Sequence, residues 1–403
     1  MRFKLREEKN GALLFDNLFG NVSKLSEEKY LEFLKSNEDF KLYKSYISRN
    51  DLPSDCLSFP SKIYFELTRK CNLNCKNCYN KSSRPFENEL GTDEILKLIK
   101  EFSDKGCFEL RLTGGEPTVH PDFFKITKYA KSQGLFLSLG TNGVWNETFA
   151  KKIRDAGFNI IILSLEGPQV INDEIRGDET FNKIIRSLNI LKENNDLILK
   201  LNMTLSKKNK EYLEDVVEIA SKNGVKVVNI APLRIIGRAS EKESQTLTPE
   251  EFYEIAKKII ILRKKYNIKI QTYFDILEPC KTYSSSLIND KSCAAGIEVA
   301  VINPEGNVYG CAVSLAGSPE KIPGKELFTA GNIREENFEK IWLDSNKWKA
   351  YRNILDNKSE KCKQCKHYGS SCFGNCFVSS YLHFGKLNAI DPYCFADLMK
   401  GEN

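Results

Sequence analysis

The chain has 403 residues, of which 41% are hydrophobic and 28% charged, as is ordinary for a folded globular protein. Its length predicts a large core domain with one or two smaller ones. The 60 basic and 54 acidic residues are mixed along the sequence and give a formal charge of +6, so no basic block indicates nucleic acid binding. The charged start MRFKLREEKNG and the lack of any long apolar stretch predict a cytoplasmic protein without a membrane span.

Residues 1–60 predict a small strand-and-helix module. Apolar runs flank Asn10-Gly11, a dipeptide typical of a two-residue hairpin, and a helix is expected to begin near Ser26. So short a segment is a marginal core by itself. We interpret it either as a separate module or as an extension that pads the next domain.

Residues 61–275 alternate between apolar, β-rich runs and helical stretches. Because apolar strands separated by helices indicate a parallel sheet covered by helices, this region predicts an α/β fold. We expect a partial (β/α)6 barrel, with an open doubly wound sheet as the alternative, and chemistry at the carboxyl ends of the strands. The six predicted strands begin near Ile63, Phe108, Leu135, Ile160, Leu197 and Val225.

Residues 276–403 are richer in Gly, Pro and Cys and predict a second domain. A hairpin is expected where GIEVAVI and VYGCAV flank the turn NPEGN, and a helix from Phe338 to Leu355. Ten of the 13 cysteines of the chain fall into two clusters. In a reducing compartment such clusters indicate metal binding or catalysis, whereas Cys56 and Cys107 are expected to pack as small apolar residues.

The first cluster, Cys71, Cys75 and Cys78, directly follows the first strand of the predicted barrel. Three thiolates can hold an iron-sulfur cluster that usually takes four, which leaves one iron open. A zinc site fits less well because a local fourth ligand is missing, and buried structural cysteines rarely occur three within eight residues.

This CxxxCxxC resembles the radical S-adenosylmethionine (SAM) superfamily, and further motifs match in order along residues 62–240. The resemblance implies that GGEP, after the second strand, contacts the methionine amino group of SAM, and that a serine and an arginine further on contact the cofactor. A later segment, PLRIIGRA, is similar to the one that completes the adenine pocket. The implied SAM contacts are Gly114, Gly115, Glu116, Pro117, Ser164, Arg176, Leu233 and Gly237.

One position departs from the family pattern. Relatives often carry an aromatic residue before the third cysteine, whereas Asn77 stands here and Tyr79 lies beyond it. Adenine stacking is therefore expected to differ.

The cysteines of the second cluster resemble the SPASM extension of radical SAM enzymes, which carries two auxiliary iron-sulfur clusters. A zinc ribbon is the alternative, but its usual pairs of CxxC are absent. The resemblance implies that Cys280 is a candidate fourth ligand of the first auxiliary cluster, a site that is otherwise open for substrate. We thus expect three [4Fe-4S] clusters. The implied ligands are Cys293, Cys311 and Cys376 for the first auxiliary cluster, and Cys362, Cys365, Cys372 and Cys394 for the second.

The resemblance implies reductive cleavage of SAM to a 5'-deoxyadenosyl radical, with flavodoxin or ferredoxin as reductant. Similar enzymes act largely on peptides, and the start of residues 1–60 resembles the N-terminal segments of peptide maturases, which implies a peptide-binding module. We therefore predict hydrogen abstraction from a ribosomally synthesised peptide with a leader segment. The modification is a thioether or carbon-carbon crosslink, an epimerisation or an oxidation. No catalytic acid or base is assigned, and His120 is expected to belong to a turn.

Three alternatives remain at this point. The first is a small-molecule oxidoreductase of cofactor or haem biosynthesis. The second is an anaerobic sulfatase-maturating type of enzyme, which is disfavoured because Ala312 follows Cys311 where those relatives carry an aspartate. A non-enzymatic iron-sulfur scaffold would leave GGEP, Ser164 and Arg176 without a cofactor to bind.

Overall fold

The structure is a computed structural model that describes residues 2–44, 54–272, 292–314, 323–353 and 356–401, together with Leu277, Ser286 and Leu287. Two sheets organise this part of the chain, one with four strands and one with ten. None of the helices in these ranges is both long and apolar enough to cross a membrane.

The four-stranded sheet and one helix form the N-terminal module. The predicted hairpin at Asn10-Gly11 is confirmed, with Gly11 at φ +112°. The predicted helix start is also confirmed, because the Ser26 hydroxyl accepts a hydrogen bond from the Lys29 amide. The strand order is β3-β2-β1-β4, with β4 parallel to β1. The elements are β1 (Phe3–Glu8), β2 (Gly11–Asp16), β3 (Asn21–Leu25), α1 (Glu27–Ser36) and β4 (Phe40–Tyr43).

The larger sheet contains all six predicted strands, each parallel to its neighbours and arranged in chain order. A doubly wound sheet would reverse this order, so the barrel-like arrangement is confirmed. A seventh parallel strand, β11, was not predicted. The elements are β5 (Lys62–Glu66), α2 (Thr92–Asp104), β6 (Glu109–Thr113), α3 (Phe123–Ser132), β7 (Phe136–Thr141), α4 (Glu147–Arg154), β8 (Ile160–Ser164), α5 (Gln169–Arg176), α6 (Thr180–Leu191), β9 (Ile198–Leu205), α7 (Leu213–Lys222), β10 (Val227–Pro232), α8 (Pro249–Tyr266) and β11 (Lys269–Thr272).

The N-terminal module closes the amino-terminal end of the barrel. Leu13 and Phe15 of β2 pack into one apolar cluster with Phe108, Phe136 and Ile160, and the rings of Phe15 and Phe108 stack at 5.1 Å. Burying each such side chain stabilises the fold by roughly 1.5–3 kcal/mol. The module therefore lies at the opposite end from the carboxyl ends of the strands, where the cysteine loop begins.

The C-terminal region continues the larger sheet, since β12 pairs parallel with β5. The predicted hairpin is confirmed by β12 and β13, but the predicted helix from Phe338 to Leu355 is interrupted. Ser345 has an extended backbone, and its hydroxyl donates to the Ala330 carbonyl at 2.7 Å, which ends the helix early. The boundaries near residues 60 and 275 stay predictions. The elements are β12 (Val299–Ile302), β13 (Asn307–Tyr309), β14 (Thr329–Asn332), α9 (Phe338–Asp344), α10 (Lys349–Arg352), α11 (Glu360–Lys363) and α12 (Phe377–Phe384).

Candidate functional site

The first cysteine cluster lies on the loop that follows β5, at the carboxyl end of the barrel strands. Burial, with smaller contributions from nearby Glu116, Cys75 and Cys78, raises the pKa of the Cys71 thiol to about 11, against a hydrogen bond from the Leu73 amide. The three thiols therefore share one small space. Metal binding there must displace thiol protons, since the thiolate is the ligand.

The GGEP segment packs directly against the residues that precede this loop. The Gly115 amide donates to the Thr68 carbonyl at 2.8 Å, and the Glu116 amide donates to the Lys70 carbonyl at 2.9 Å. A Cβ on Gly115 would lie 2.4 Å from the Lys70 carbonyl oxygen, closer than real side chains come. The glycine thus allows two backbone segments to touch just before Cys71.

Glu116 is fully buried and its carboxylate accepts hydrogen bonds from neighbouring protein groups. The donors are the hydroxyl groups of Thr118 at 2.6 Å and Thr141 at 2.8 Å, and the Asn142 amide at 2.8 Å. Burial raises the pKa of this carboxyl, whereas the donors oppose the shift. The Asn142 side chain in turn donates to Asn72 at 2.7 Å. Glu116 therefore ties the TNG turn to the cysteine loop through its side chain.

Arg176 reaches the cysteine loop from α5. One of its nitrogens donates to Glu166 at 3.2 Å, and Glu166 also accepts the Thr204 amide at 2.8 Å. The Arg176 Nε is buried without a hydrogen-bond partner, and the Arg176 carbonyl lies 3.9 Å from the Cys75 sulfur. The Arg176 guanidinium is thus held beside the cysteines, and its Nε–H remains available to donate a hydrogen bond. Ser164 ends β8 on the same side of the barrel.

Gly237 and Arg238 hold the far side of the cysteine loop. A Cβ on Gly237 would lie 2.4 Å from the Cys78 carbonyl oxygen. The Arg238 amide donates to that carbonyl at 2.9 Å, and its guanidinium donates to the carbonyls of Cys75 at 2.7 Å and Ser82 at 3.0 Å. Leu233 is buried, and its carbonyl accepts the hydroxyl proton of Tyr393 at 2.7 Å.

The cysteines of the C-terminal region form two groups. In the first, burial raises the pKa of Cys293 to about 12 and that of Cys311 to about 11, and Cys376 contributes to both shifts. These are the residues implied for the first auxiliary cluster. Cys280, the candidate fourth ligand, lies outside the described residues.

The second group lines one cavity of about 610 Å³. Burial raises the pKa of Cys372 to about 12 and that of Cys394 to about 11, and Cys362 is close enough to raise both. Cys365 and His367 line the same cavity. The implied ligands of the second auxiliary cluster are therefore neighbours in space.

Lys358 lies between these two groups. Its side chain is buried, its Nζ donates to the Asn375 carbonyl at 3.0 Å, and burial lowers its pKa. Four thiols from both groups oppose that shift, those of Cys293, Cys362, Cys372 and Cys376. No local pattern singles out this lysine, because the two groups come together only in the folded chain.

The other described cysteines and histidines make contacts typical of residues that stabilise the fold. Cys56 and Cys107 are buried in the apolar core, as expected. His120 accepts the Asp122 amide at 3.1 Å within its turn, and His383 contacts the Ser379 carbonyl at 3.0 Å. None of them lies among the cysteine groups.

The chemistry of these groups fits iron-sulfur clusters better than single ions. Within the described ranges, no three Cys, His, Asp or Glu side chains converge closely enough to bind one metal ion. The ligands of a cluster bind different irons and so lie farther apart. Around Cys71, Cys75 and Cys78, the partly exposed Gly114 and Gly115 and the spare Arg176 Nε also fit the amino and carboxylate groups of SAM. Their individual roles stay predictions.

Comparisons with known proteins agree with this chemistry. Residues 65–220 match the model of the radical SAM superfamily, and residues 293–366 match that of the SPASM iron-sulfur cluster-binding domain. The chain is 28% identical over 342 residues to the mycofactocin maturase MftC of Mycobacterium tuberculosis, covering 84% of this chain and 83% of the relative. It is also 28% identical over 345 residues to an AdoMet-dependent heme synthase of Oleidesulfovibrio alaskensis, covering 82% and 86%.

The fold is similar to that of SuiB from Streptococcus suis, solved with its precursor peptide SuiA. The TM-score is 0.74 at 15% identity, and the match covers 97% of both chains. The resemblance therefore includes the N-terminal module as well as the barrel and the cysteine-rich region. With both domains matched in the expected order, this chain is a radical SAM enzyme with a C-terminal SPASM iron-sulfur domain.

Proposed function

We propose that this enzyme is a cytoplasmic maturase that abstracts hydrogen from a ribosomally synthesised peptide and so starts its modification. The observation that carries the proposal is the N-terminal module with its free edge strand β3, docked on the closed end of the barrel. The maturase relative and the fold likeness to SuiB with its precursor peptide support it.

The edge strand β3 suits recognition of an extended leader segment. It pairs with β2 on one side, and within the described residues no strand covers its other side. Three of its five residues are exposed: Asn21, Ser23 and Lys24. An exposed edge offers unpaired backbone groups that an incoming peptide can use as an added strand.

In this proposal Cys71, Cys75 and Cys78 hold the cluster that binds SAM. That cofactor, when bound and reduced, supplies the 5'-deoxyadenosyl radical. The protein fixes the geometry: Arg176 offers its spare Nε to the methionine carboxylate, whereas Gly114–Pro117 present backbone to the amino group. The adenine pocket would include Leu233 and Gly237, and Ser164 lies at its edge.

The two C-terminal groups would each hold a further [4Fe-4S] cluster. They lie close enough for Lys358 to interact with thiols of both. We propose that they pass electrons between the radical site and an external flavodoxin or ferredoxin.

A second candidate is a heme or cofactor synthase. It is favoured by the heme synthase relative, which matches this chain with the same identity as the maturase and with similar coverage. A sulfatase-maturating function is less well supported, because Ala312 provides no carboxylate next to Cys311.

Co-expression tests the proposal. Short peptides encoded beside this gene would be produced with the enzyme anaerobically and examined by mass spectrometry, with the Cys71→Ala variant as the inactive control and Cys107→Ala as a matched buried cysteine away from the site. We expect a mass change that requires the wild-type cysteine at position 71 and an intact leader. Conversion of a porphyrin substrate with no change in any peptide would overturn the proposal in favour of the second candidate.

A further inference from the structure

The inside of the barrel is open to solvent and carries polar side chains. Along β9 the outward-facing residues are buried against the helices, whereas the inward-facing Lys200 and Thr204 are partly exposed and Asn202 is exposed. Strands pair with β9 on both sides, so this exposure lies within the barrel. A ligand entering the barrel would meet these side chains.

The carboxylate of Glu109, which faces this interior, is already paired with protein groups. Glu109 of β6 forms an ion pair with Lys62 at 2.6 Å and with Arg111 at 3.4 Å, and accepts the Ser138 hydroxyl proton at 2.6 Å. These cations lower the pKa of Glu109 to about 2 despite its burial, which acts in the opposite direction. Its negative charge is therefore shared between two cations.

Lys200 is a third cation facing the same interior, and it has no carboxylate of its own. No hydrogen-bond acceptor or ion-pair partner lies within reach of its ammonium group in the described part of the chain. Burial, together with the nearby charges of Arg111, Lys62 and Lys269, lowers its pKa to about 8, and Glu109 opposes this shift only in part. A partly buried, repelled ammonium is unfavourable for the empty protein.

The position of Lys200 relates it to the radical site. Asn202 pairs in register with Ser164, which ends β8 among the predicted SAM contacts, and Lys200 lies two residues, about 7 Å, deeper along the same strand. On the neighbouring strand β10, the Asn229 side chain donates to Asn202 at 2.8 Å, and its own side-chain oxygen is buried without a hydrogen-bond partner. An anionic group bound at Lys200 would therefore be held one layer below Ser164, a predicted SAM contact.

We propose that Lys200, together with Arg111, forms a subsite that binds a carboxylate of the substrate. The inference rests on the proposed function, because a peptide presents anionic charge as an acidic side chain or a free C-terminus. Arg111 is near enough for its charge to act on Lys200, and its orientation is fixed by three contacts. Its guanidinium lies 4.6 Å from the Tyr64 ring centre, its Nε donates to Ser138 at 3.2 Å, and it pairs with Glu109 at 3.4 Å. The subsite would orient the substrate and select for acidic residues near the modified position.

The test measures binding to the reconstituted enzyme with SAM. The probes are two acetylated and amidated pentapeptides of alanine, one with a central glutamate and one with a central glutamine, and a porphyrin with two propionates alongside its diamide. The variants are Lys200→Met, the charge-conserving Lys200→Arg, and Lys128→Met as the control. Lys128 is exposed on α3, outside the barrel, so this control makes the same change of net charge.

We expect the wild type to bind the glutamate peptide at least about tenfold more tightly than the glutamine peptide. That ratio should fall below about twofold in Lys200→Met and persist in Lys200→Arg and Lys128→Met. A Lys200-dependent preference for the porphyrin diacid, with no peptide preference, would keep the carboxylate subsite and remove the peptide as its source. Equal binding of both members of each pair, or a preference that survives Lys200→Met, would overturn the subsite whatever the outcome of the co-expression experiment.

Discussion

Replacing Gly237 by alanine separates two effects of a glycine, its backbone conformation and its close approach to other atoms. Gly237 has φ +66°, and an added Cβ would lie 2.3 Å from the Tyr79 carbonyl oxygen and 2.4 Å from that of Cys78. Gly224 has nearly the same backbone, φ +69°, but a Cβ there meets nothing within 4 Å. Gly224→Ala is therefore a matched control for Gly237→Ala.

The expected magnitudes differ between the two variants. An alanine in a left-handed conformation costs roughly 1–2 kcal/mol, and this applies to both positions. At Gly237 the cysteine loop must also retreat by about 1.1 Å, from 2.3 Å to 3.4 Å, to restore an ordinary contact, and such overpacking typically costs a further 1–3 kcal/mol. We expect Gly224→Ala to lower the free energy of unfolding by about 1–2 kcal/mol, and Gly237→Ala by about 2–5 kcal/mol.

Two measurements check this prediction under anaerobic conditions. Guanidinium unfolding of the metal-free proteins gives the stability difference. The electron paramagnetic resonance spectrum of the reduced, reconstituted proteins, with and without SAM, reports on the cluster held by the displaced loop. Gly237→Ala should lose most of the SAM-dependent spectral change, and Gly224→Ala should keep it. If both variants lose equal stability and keep the same spectrum, the close approach at Gly237 does not position the loop.

Three further predictions concern charged side chains. Arg238→Gln removes the donors to the carbonyls of Cys75 and Ser82, so iron retained at the SAM-binding cluster after a chelator challenge should fall several-fold while the far-ultraviolet circular dichroism is unchanged. Lys358→Met removes a buried positive charge near both auxiliary groups. Because that charge favours the reduced, more negative state of a cluster, redox titration should show both reduction potentials lowered by on the order of 50 mV. Unchanged potentials would contradict the placement of Lys358 between the two clusters. Lys200→Met should stabilise the ligand-free protein at pH 7 by up to about 3 kcal/mol, since the lysine has a pKa of about 8 when folded and 10.5 when unfolded. The penalty is complete below pH 8 and disappears as the pH rises towards 10.5, so unfolding of both proteins across this range should converge, and a constant difference would refute the assignment.

The strands and the cysteine groups could be predicted from the sequence because both depend on local patterns. Runs of apolar residues mark strands, and the spacing of Cys71, Cys75 and Cys78 is meaningful without knowledge of their surroundings. The helix expected from Phe338 to Leu355 shows the limit of this reasoning. Its apolar periodicity continues through Ser345, but a hydrogen bond to a distant strand ends the helix there.

Other features depend on contacts between distant parts of the chain. The pairing of Arg176 with Glu166, and the bonds from Arg238 to the cysteine loop, join segments that no local pattern relates. The segment LILKLNM, which contains Lys200, predicted a buried apolar strand. Only the partial-barrel arrangement of the sheet shows that its polar residues face the interior, so the proposed subsite could not be found from the sequence.

The most direct test of the central claim follows the hydrogen atom itself. The reconstituted enzyme would be given SAM, a reductant and a precursor peptide that it modifies. The carbon-bound hydrogens in the core of this peptide would be replaced by deuterium. We expect deuterium in the 5'-deoxyadenosine that is released, together with a mass change in the peptide. If the enzyme forms 5'-deoxyadenosine but none of the peptides that it binds transfers deuterium to this product, a peptide is not the source of the abstracted hydrogen.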